Sequence, residues 1–210
     1  MALGSLVESA LLDAARTLKY RDMKRGRRLI ADDRVINRQR YDIEQDVLAL
    51  IATQQPLAGD LRVLAAILEI VTELERIGDY AKGIARINQM IGEQTLVVPL
   101  VDLPQMAREA HDMLHEALDA FFRRDVALAR AVSERDRAVD ALYQRIYREL
   151  IACVLARPTR IEQASYLIWA AHNLERAADR VTNICERVIF TVTGEIVDLD
   201  EEVMDIQALA

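Results

Sequence analysis

Apolar residues recur along the chain with the three- and four-residue spacing of α-helices. In residues 56–91, one apolar stripe runs from Ile67 to Ile84 and a second runs from Leu61 to Val71. Because a helix with two apolar stripes needs neighbours on two sides, this segment is expected inside a helical bundle. Residues 158–193 carry the same two stripes. Breaks between such patterns predict six long helices, at residues 3–20, 22–52, 56–91, 104–123, 125–156 and 158–193.

The helical pattern occurs twice along the chain. The string Leu-Glu-Arg at residues 74–76 returns 100 residues later at 174–176, and Asp22, a candidate helix N-cap, returns 103 residues later as Asp125. Such internal repetition predicts two copies of one structural unit. The predicted fold is therefore all-α, with two tandem three-helix bundles related by the repeat. They span residues 1–92 and 104–193, with a linker at 93–103 and an acidic tail at 194–210.

Composition agrees with a helical protein and excludes several other classes. Of the 210 residues, 52% are hydrophobic and only 7 are Gly and 4 are Pro, which disfavours both disorder and a many-stranded β fold. The net charge of −7 argues against nucleic acid as a partner. No apolar run reaches the roughly 18 residues of a membrane span, and the sequence does not open with a signal-peptide pattern, so a cytoplasmic location is expected. Cys153 and Cys185 lack metal or redox spacing and are expected to be reduced core residues.

Carboxylates interrupt the apolar stripes at matching places in the two repeats. The stripe that ends at Val71 continues into Glu75, and Asp79 follows one turn later. The sixth predicted helix repeats this arrangement, and the middle helix of each repeat carries a further pair of oxygen-bearing side chains at i,i+4 spacing. The residues concerned are Asp33, Asn37, Glu75 and Asp79 in the first repeat and Asp136, Asp140, Glu175 and Asp179 in the second.

Acidic side chains at packing positions need a compensating positive charge. Like charges at i,i+4 spacing destabilise an exposed helix by about 0.2–0.5 kcal/mol, and a buried unpaired carboxylate costs far more. A cation held by the oxygens would remove this cost. The spacing therefore predicts one metal site in each repeat, for Mg²⁺, Mn²⁺, Fe or Zn²⁺ in one or more copies. Ordinary salt bridges to Arg76 and Arg176 are the alternative interpretation.

At these residues the sequence resembles the PhoU family, regulators of bacterial phosphate-transport signalling. The resemblance covers nearly the whole chain. It rests on the repeated three-helix layout and on four strings: QPLAGDLR at 55–62, LERIGD at 74–79, LERAAD at 174–179 and NICE at 183–186. The resemblance implies a cytoplasmic adaptor without enzymatic activity that binds multinuclear metal clusters through its E/D-x-x-x-D pairs.

The same resemblance implies partners and an assembly. A protein of this family would contact a phosphate transporter's ATPase subunit and a PhoR-type sensor histidine kinase, and would thereby restrain phosphate uptake and starvation signalling. Association with the membrane would be peripheral and would occur through these partners, and a homodimer is expected. The chain departs from the family pattern at Asn37, where an Asp is commoner, so the first site is expected to bind metal more weakly. The second motif reads ERAAD rather than ERIGD, which changes only packing, and the first helix is shorter than usual.

A metal-dependent enzyme, such as a phosphoester hydrolase, is the alternative function, because paired cations between carboxylates can activate water. No catalytic residue is assigned, since the sequence has no Ser-His-Asp set, phosphate-binding loop or catalytic Cys-His pair. His111 and His115 have a spacing that Zn²⁺ could use, but the pattern favours a partly exposed polar face. The basic stretch at residues 16–28 is expected to be a solvated turn, with docking on an acidic surface as the second interpretation.

Overall fold

The structure, a computed structural model, describes residues 2–199 as an all-helical protein. No strand occurs in that range, which confirms the predicted fold class. The α-helices are α1 (Ala2–Tyr20), α2 (Met23–Gln54), α3 (Ala58–Ile91), α4 (Leu103–Arg123), α5 (Val126–Ser133), α6 (Asp136–Ala156) and α7 (Ile161–Thr193), and a 3₁₀ turn (Pro158–Arg160) precedes α7.

The helix predicted at residues 125–156 is interrupted by one tight turn and forms α5 and α6. Ser133 Oγ donates to the carbonyl of Arg130 at 2.9 Å, and the Arg135 N–H bonds to the carbonyl three residues back. Serine side chains that bond to their own helix in this way compete with the backbone and bend it. The guanidinium of Arg135 then reaches α4, where it pairs with Glu116 and Glu109 at 2.6 and 3.1 Å. As a result, Asp136 becomes the first residue of α6.

The first turn of each repeat has the same construction. Arg21 and Arg124 adopt left-handed backbone conformations, with φ of 57° and 55°. Asp22 and Asp125 follow them, and each accepts a hydrogen bond from the backbone N–H three residues later, at 2.8 and 3.0 Å. These bonds satisfy donors that a helix start leaves free. The two predicted N-caps are confirmed.

The two repeats pack together through α1, α3, α4 and α7. The helices α3 and α7 contact each other across the repeats, as do α1 and α4, while α2 and the α5–α6 pair lie outside this layer. Buried apolar side chains from both repeats form one continuous core. The position of α2 explains its few buried residues, because only one of its faces meets the layer. The division into bundles at 1–92 and 104–193 stays a prediction.

The segment between α3 and α4 is held by one buried glutamine of α7. Gln163 Oε1 accepts the N–H of Val97 at 2.6 Å, and its Nε2 donates to the carbonyl of Thr95 at 3.1 Å. Only 5% of Gln163 is exposed. The predicted linker is thus tied to the second repeat by a side chain rather than left loose.

The predicted acidic tail is described only as far as Leu199. Leu199 is buried, and its N–H donates to Glu186 Oε1 at 3.1 Å, so the chain after α7 turns back onto that helix. Glu195 and Asp198 lie in this stretch, whereas the other predicted acids, at positions 200–205, lie outside the described residues.

None of the helices in residues 2–199 combines the length and apolarity that crossing a membrane requires. Both cysteines are free thiols, and Cys153 is half-buried. Burial raises the pKa of the Cys185 thiol to about 12, as expected for a cysteine that serves as an apolar packing residue.

Candidate functional site

The carboxylates of the first repeat lie around a lysine. Asp33 on α2 is buried, and its Oδ2 is 2.7 Å from Nζ of Lys82 on α3. The same ammonium group donates to Asp79 one turn earlier on α3. Burial lowers the pKa of Lys82, but its hydrogen bonds to Asp33 and Asp79 outweigh this effect and the pKa is raised overall. Lys82 is therefore a fixed positive charge between α2 and α3.

Three further side chains near Lys82, those of Asn37, Arg40 and Glu75, make longer contacts with this group of acids. Asn37 Nδ2 donates to Asp33 Oδ2 at 3.1 Å. Arg40 Nη1 lies 3.8 Å from Glu75, while its Nε bonds to Glu44 at 2.8 Å. Burial raises the pKa of Glu75, and the charge of Asp79 raises it further. We call Asp33, Asn37, Arg40, Glu75, Asp79 and Lys82 the first cluster.

The matching positions of the second repeat carry no lysine. Burial raises the pKa of Glu175, and the nearby charges of Asp179 and Asp140 raise it further, against an opposing effect of His172. His172 Nδ1 lies 2.9 Å from Glu175 Oε2, and this contact works against the rise in the pKa of Glu175. Burial, and then the charge of Glu175, raise the pKa of Tyr143 on α6. We call Asp136, Asp140, Tyr143, Glu175, Asp179 and Thr182 the second cluster.

The two clusters differ in how well they fit a metal ion. Carboxylates are the ligands that hard cations prefer, and the second cluster offers four of them, including the half-buried Glu175. In the first cluster the acids already face the chain's own ammonium and guanidinium groups. As the side chains stand, no three His, Cys, Asp or Glu residues between positions 2 and 199 are grouped so that they could hold a metal ion. The predicted metal sites at all eight residues therefore stay predictions.

The comparisons with known proteins match the PhoU domain family at residues 1–87 and again at 103–188. The chain belongs to the PhoU family. This result confirms the resemblance read from the LERIGD and QPLAGDLR strings, and the family domain is matched once in each half of the internal repeat.

The curated relatives and solved structures extend over most of the chain. It is 34% identical over 203 residues to the phosphate-specific transport system accessory protein PhoU homolog of Clostridium acetobutylicum, covering 96% of this chain and 92% of that protein. It is 34% identical to the PhoU accessory protein of Escherichia coli, covering 93% and 81%. The crystal structure of PhoU from Pseudomonas aeruginosa superposes with a TM-score of 0.87 at 35% identity, covering 92% of this chain and 93% of that one.

Lys82 was not predicted to be a member of the first cluster. The repeat itself carries a sign of this difference. Thr182 matches Lys82 and Tyr143 matches Arg40, so the second repeat has uncharged residues where the first has cationic ones. Thr182 is buried, and its Oγ1 has no hydrogen-bond partner in the part of the chain that the structure describes. Comparing the two halves of this PhoU-family chain thus identifies the positions at which their charges differ.

A second polar group lies between α3 and α7, away from the predicted residues. Glu73 is only 8% exposed and is surrounded by donors. Its Oε2 lies 3.5 Å from Arg180 Nη1 and 3.3 Å from Asn183 Nδ2, and its Oε1 lies 2.8 Å from Arg76 Nη1. Arg76 therefore pairs with Glu73 rather than with Glu75, and we interpret this group as a link between the repeats.

The remaining polar features have ordinary partners. The rings of His111 and His115 stack 6.4 Å apart, and they pair with Asp112 and Glu8 respectively. His115 is largely exposed, as the favoured interpretation expected. In the basic stretch, Arg25 bonds to Asp13 across the turn at 2.7 Å. This pairing fits the interpretation of the stretch as a turn.

Replacing Glu175 with glutamine is expected to stabilise the metal-free protein at pH 7. The raised pKa means that the folded state binds more protons than the unfolded state, so the free energy of unfolding falls as pH rises above the ordinary glutamate value of about 4.3. The variant should gain less than about 1 kcal/mol at pH 7 and nothing at pH 4. Thermal unfolding in EDTA at both pH values measures this. Glu149→Gln, on the exposed face of α6, is the matched control; an equal gain in both variants would contradict the prediction.

Proposed function

We propose that this chain is a regulatory accessory protein of phosphate transport. In this proposal it restrains phosphate uptake and starvation signalling by binding the transporter's ATPase subunit and a PhoR-type sensor kinase. It acts in the cytoplasm as a homodimer and reaches the membrane only through these partners. It has no enzymatic role.

The observation that carries the proposal is the family match to both halves of the chain. Relatives that share about a third of its residues over more than nine-tenths of its length are named as phosphate-specific transport system accessory proteins. A similar fold alone would be weaker support, since one fold can serve many functions. Here the two matched ranges, 1–87 and 103–188, also include both carboxylate clusters with the LERIGD and LERAAD strings.

Metal binding by the carboxylate clusters belongs to the same proposal. Its support is electrostatic: burial and neighbouring acids raise the pKa values of Glu75 and Glu175, so a nearby cation would relieve a cost that the fold already carries. In the second repeat, such a cation would supply positive charge between α6 and α7 and would be held by Asp136, Asp140, Glu175 and Asp179. Those carboxylates would then hold the two helices together and present a rigid face to a partner.

A metal-dependent hydrolase is the less favoured alternative. Its only support is that cations held between carboxylates can activate water. The relatives are named as accessory proteins rather than as enzymes. Phosphoester turnover by the metal-loaded protein, lost in a Glu175→Ala variant, would reverse this preference.

The experiment that tests the regulatory role uses cells from which the gene has been deleted. At high phosphate, deletion should raise phosphate uptake and switch on a starvation reporter, and the full chain supplied from a plasmid should reverse both effects. Purified chain should also retain the transporter's ATPase subunit and the sensor kinase from detergent-solubilised membranes. A plasmid without insert and beads without bait are the controls. Unchanged uptake and unchanged reporter output after deletion would refute the proposal.

A further inference from the structure

Lys82 links the two helices of the first cluster by contacting a carboxylate on each. Its Nζ is 2.7 Å from Asp33 Oδ2 on α2, and it also donates to Asp79 on α3. The side chains of Lys82 and Asp33 are only 17% and 11% exposed, so the pair is held out of bulk water. Displacing the ammonium group would leave it without its partners in a partly buried place, which is strongly unfavourable.

The neighbours of Lys82 add to the compensation of the first cluster, in which Asp33 Oδ1 is buried and has no hydrogen-bond partner within residues 2–199. Asn37 Nδ2 donates a second hydrogen bond to Asp33 Oδ2, the oxygen that accepts from Lys82. Arg40 Nη1 lies 3.8 Å from Glu75 at the other end of the cluster. Three carboxylates of the first cluster therefore lie within 4 Å of two cationic groups or an amide donor of the same chain.

The second cluster is composed differently at the same positions. Asp140 stands where the first repeat has Asn37, Tyr143 where it has Arg40, and Thr182 where it has Lys82. In the second cluster, Arg176 Nη1 lies 3.6 Å from Asp179, and His172 Nδ1 lies 2.9 Å from Glu175 Oε2. The second cluster thus has one more acid and lacks both cationic groups of the first.

From this difference we infer that the Lys82 ammonium group replaces a bound cation in the first cluster, so that divalent metal binds to the second cluster and not to the first. The inference rests on the metal binding contained in the proposed function and narrows it to one repeat. The first cluster would then be a permanent salt-bridge joint between α2 and α3. Only the joint between α6 and α7 would depend on metal supply.

Binding of Mn²⁺ to the full chain tests the inference. Electron paramagnetic resonance counts free Mn²⁺ during titration of EDTA-stripped protein. Glu175→Ala should remove the bound Mn²⁺ of the wild type, while Glu75→Ala should leave the stoichiometry and affinity unchanged. Lys82→Thr combined with Asn37→Asp, which copies the second cluster, should add about one Mn²⁺ per chain, and Mn²⁺ should raise its melting temperature. Lys82→Arg keeps the charge and should add none.

The outcomes separate the two proposals. Loss of Mn²⁺ in Glu75→Ala equal to that in Glu175→Ala overturns the inference and leaves metal binding intact. No Mn²⁺ bound by the wild type overturns both the metal part of the proposed function and the assignment to the second cluster, whereas the regulatory role is tested separately by uptake. If the Lys82→Thr, Asn37→Asp variant does not fold, the Glu75→Ala and Glu175→Ala comparison, which retains Lys82, still decides the question. If the Lys82→Thr, Asn37→Asp variant folds and binds no additional Mn²⁺, Lys82 does not exclude metal from the first cluster and the inference is overturned.

Discussion

Truncating Leu174 to alanine is expected to lower the free energy of unfolding by about 2–5 kcal/mol. Leu174 is fully buried near the middle of α7, the helix that contacts α3, α4, α5 and α6. Removing its isobutyl group forfeits the transfer free energy and leaves a cavity in the core, which the surrounding helices can only partly close. Urea unfolding followed by circular dichroism measures the change.

The matched control for this prediction is Leu155→Ala. Leu155 lies near the end of α6 and is 78% exposed, so the same substitution there should change the stability by less than about 0.5 kcal/mol. Because one core joins the repeats, the Leu174 variant should still unfold in a single transition. Two separate transitions, or a loss at Leu174 no larger than at Leu155, would contradict this description of the core.

Replacing Gln163 with alanine is expected to release the segment between α3 and α4. The side chain satisfies the N–H of Val97 and the carbonyl of Thr95, and its removal leaves both without that partner at a cost of about 1–3 kcal/mol each. Most of this loss should be local, because the segment can open while the helices stay packed. Hydrogen exchange at Val97 should therefore accelerate by about tenfold or more, since 1.4 kcal/mol corresponds to one factor of ten.

Gln144→Ala, on the exposed face of α6, is the control for Gln163 and should leave exchange at Val97 unchanged. Exchange in the core of α7, for example at Val181, should change little in either variant. Unchanged exchange at Val97 in the Gln163 variant would mean that the segment is held by other contacts. Equal acceleration at Val97 and Val181 would mean that the substitution acts on global stability instead.

Local patterns were sufficient to predict the helices. The helix expected at residues 56–91 is Ala58–Ile91, and the one expected at 104–123 is Leu103–Arg123. Both agree because apolar periodicity and turn residues act over a few positions, which a sequence displays directly. The interruption at Glu134 and Arg135 was not predicted, since it depends on a serine bonding its own helix and on an arginine reaching α4.

The carboxylates of the candidate site were also identified from spacing, but their surroundings were not. All of these side chains were predicted to lie in the layer where the helices pack. In the structure Asp33 is buried, whereas Asp79 and Asp140 are exposed. The rotation of each helix about its axis decides which residue of an i,i+4 pair faces the neighbour. That rotation is set by packing against the whole layer and cannot be obtained from one helix alone.

By itself the amino-acid sequence determined the helices, their repetition and the family, because these depend on short-range periodicity and on strings of neighbouring residues. Only the tertiary structure decided what neutralises the acids. The ammonium group that meets Asp33 comes from Lys82, which is 49 positions away, and Arg40 approaches Glu75 from the other helix. Charge compensation acts through space over a few ångströms, and the folded packing of α2 on α3 brings these groups within that distance.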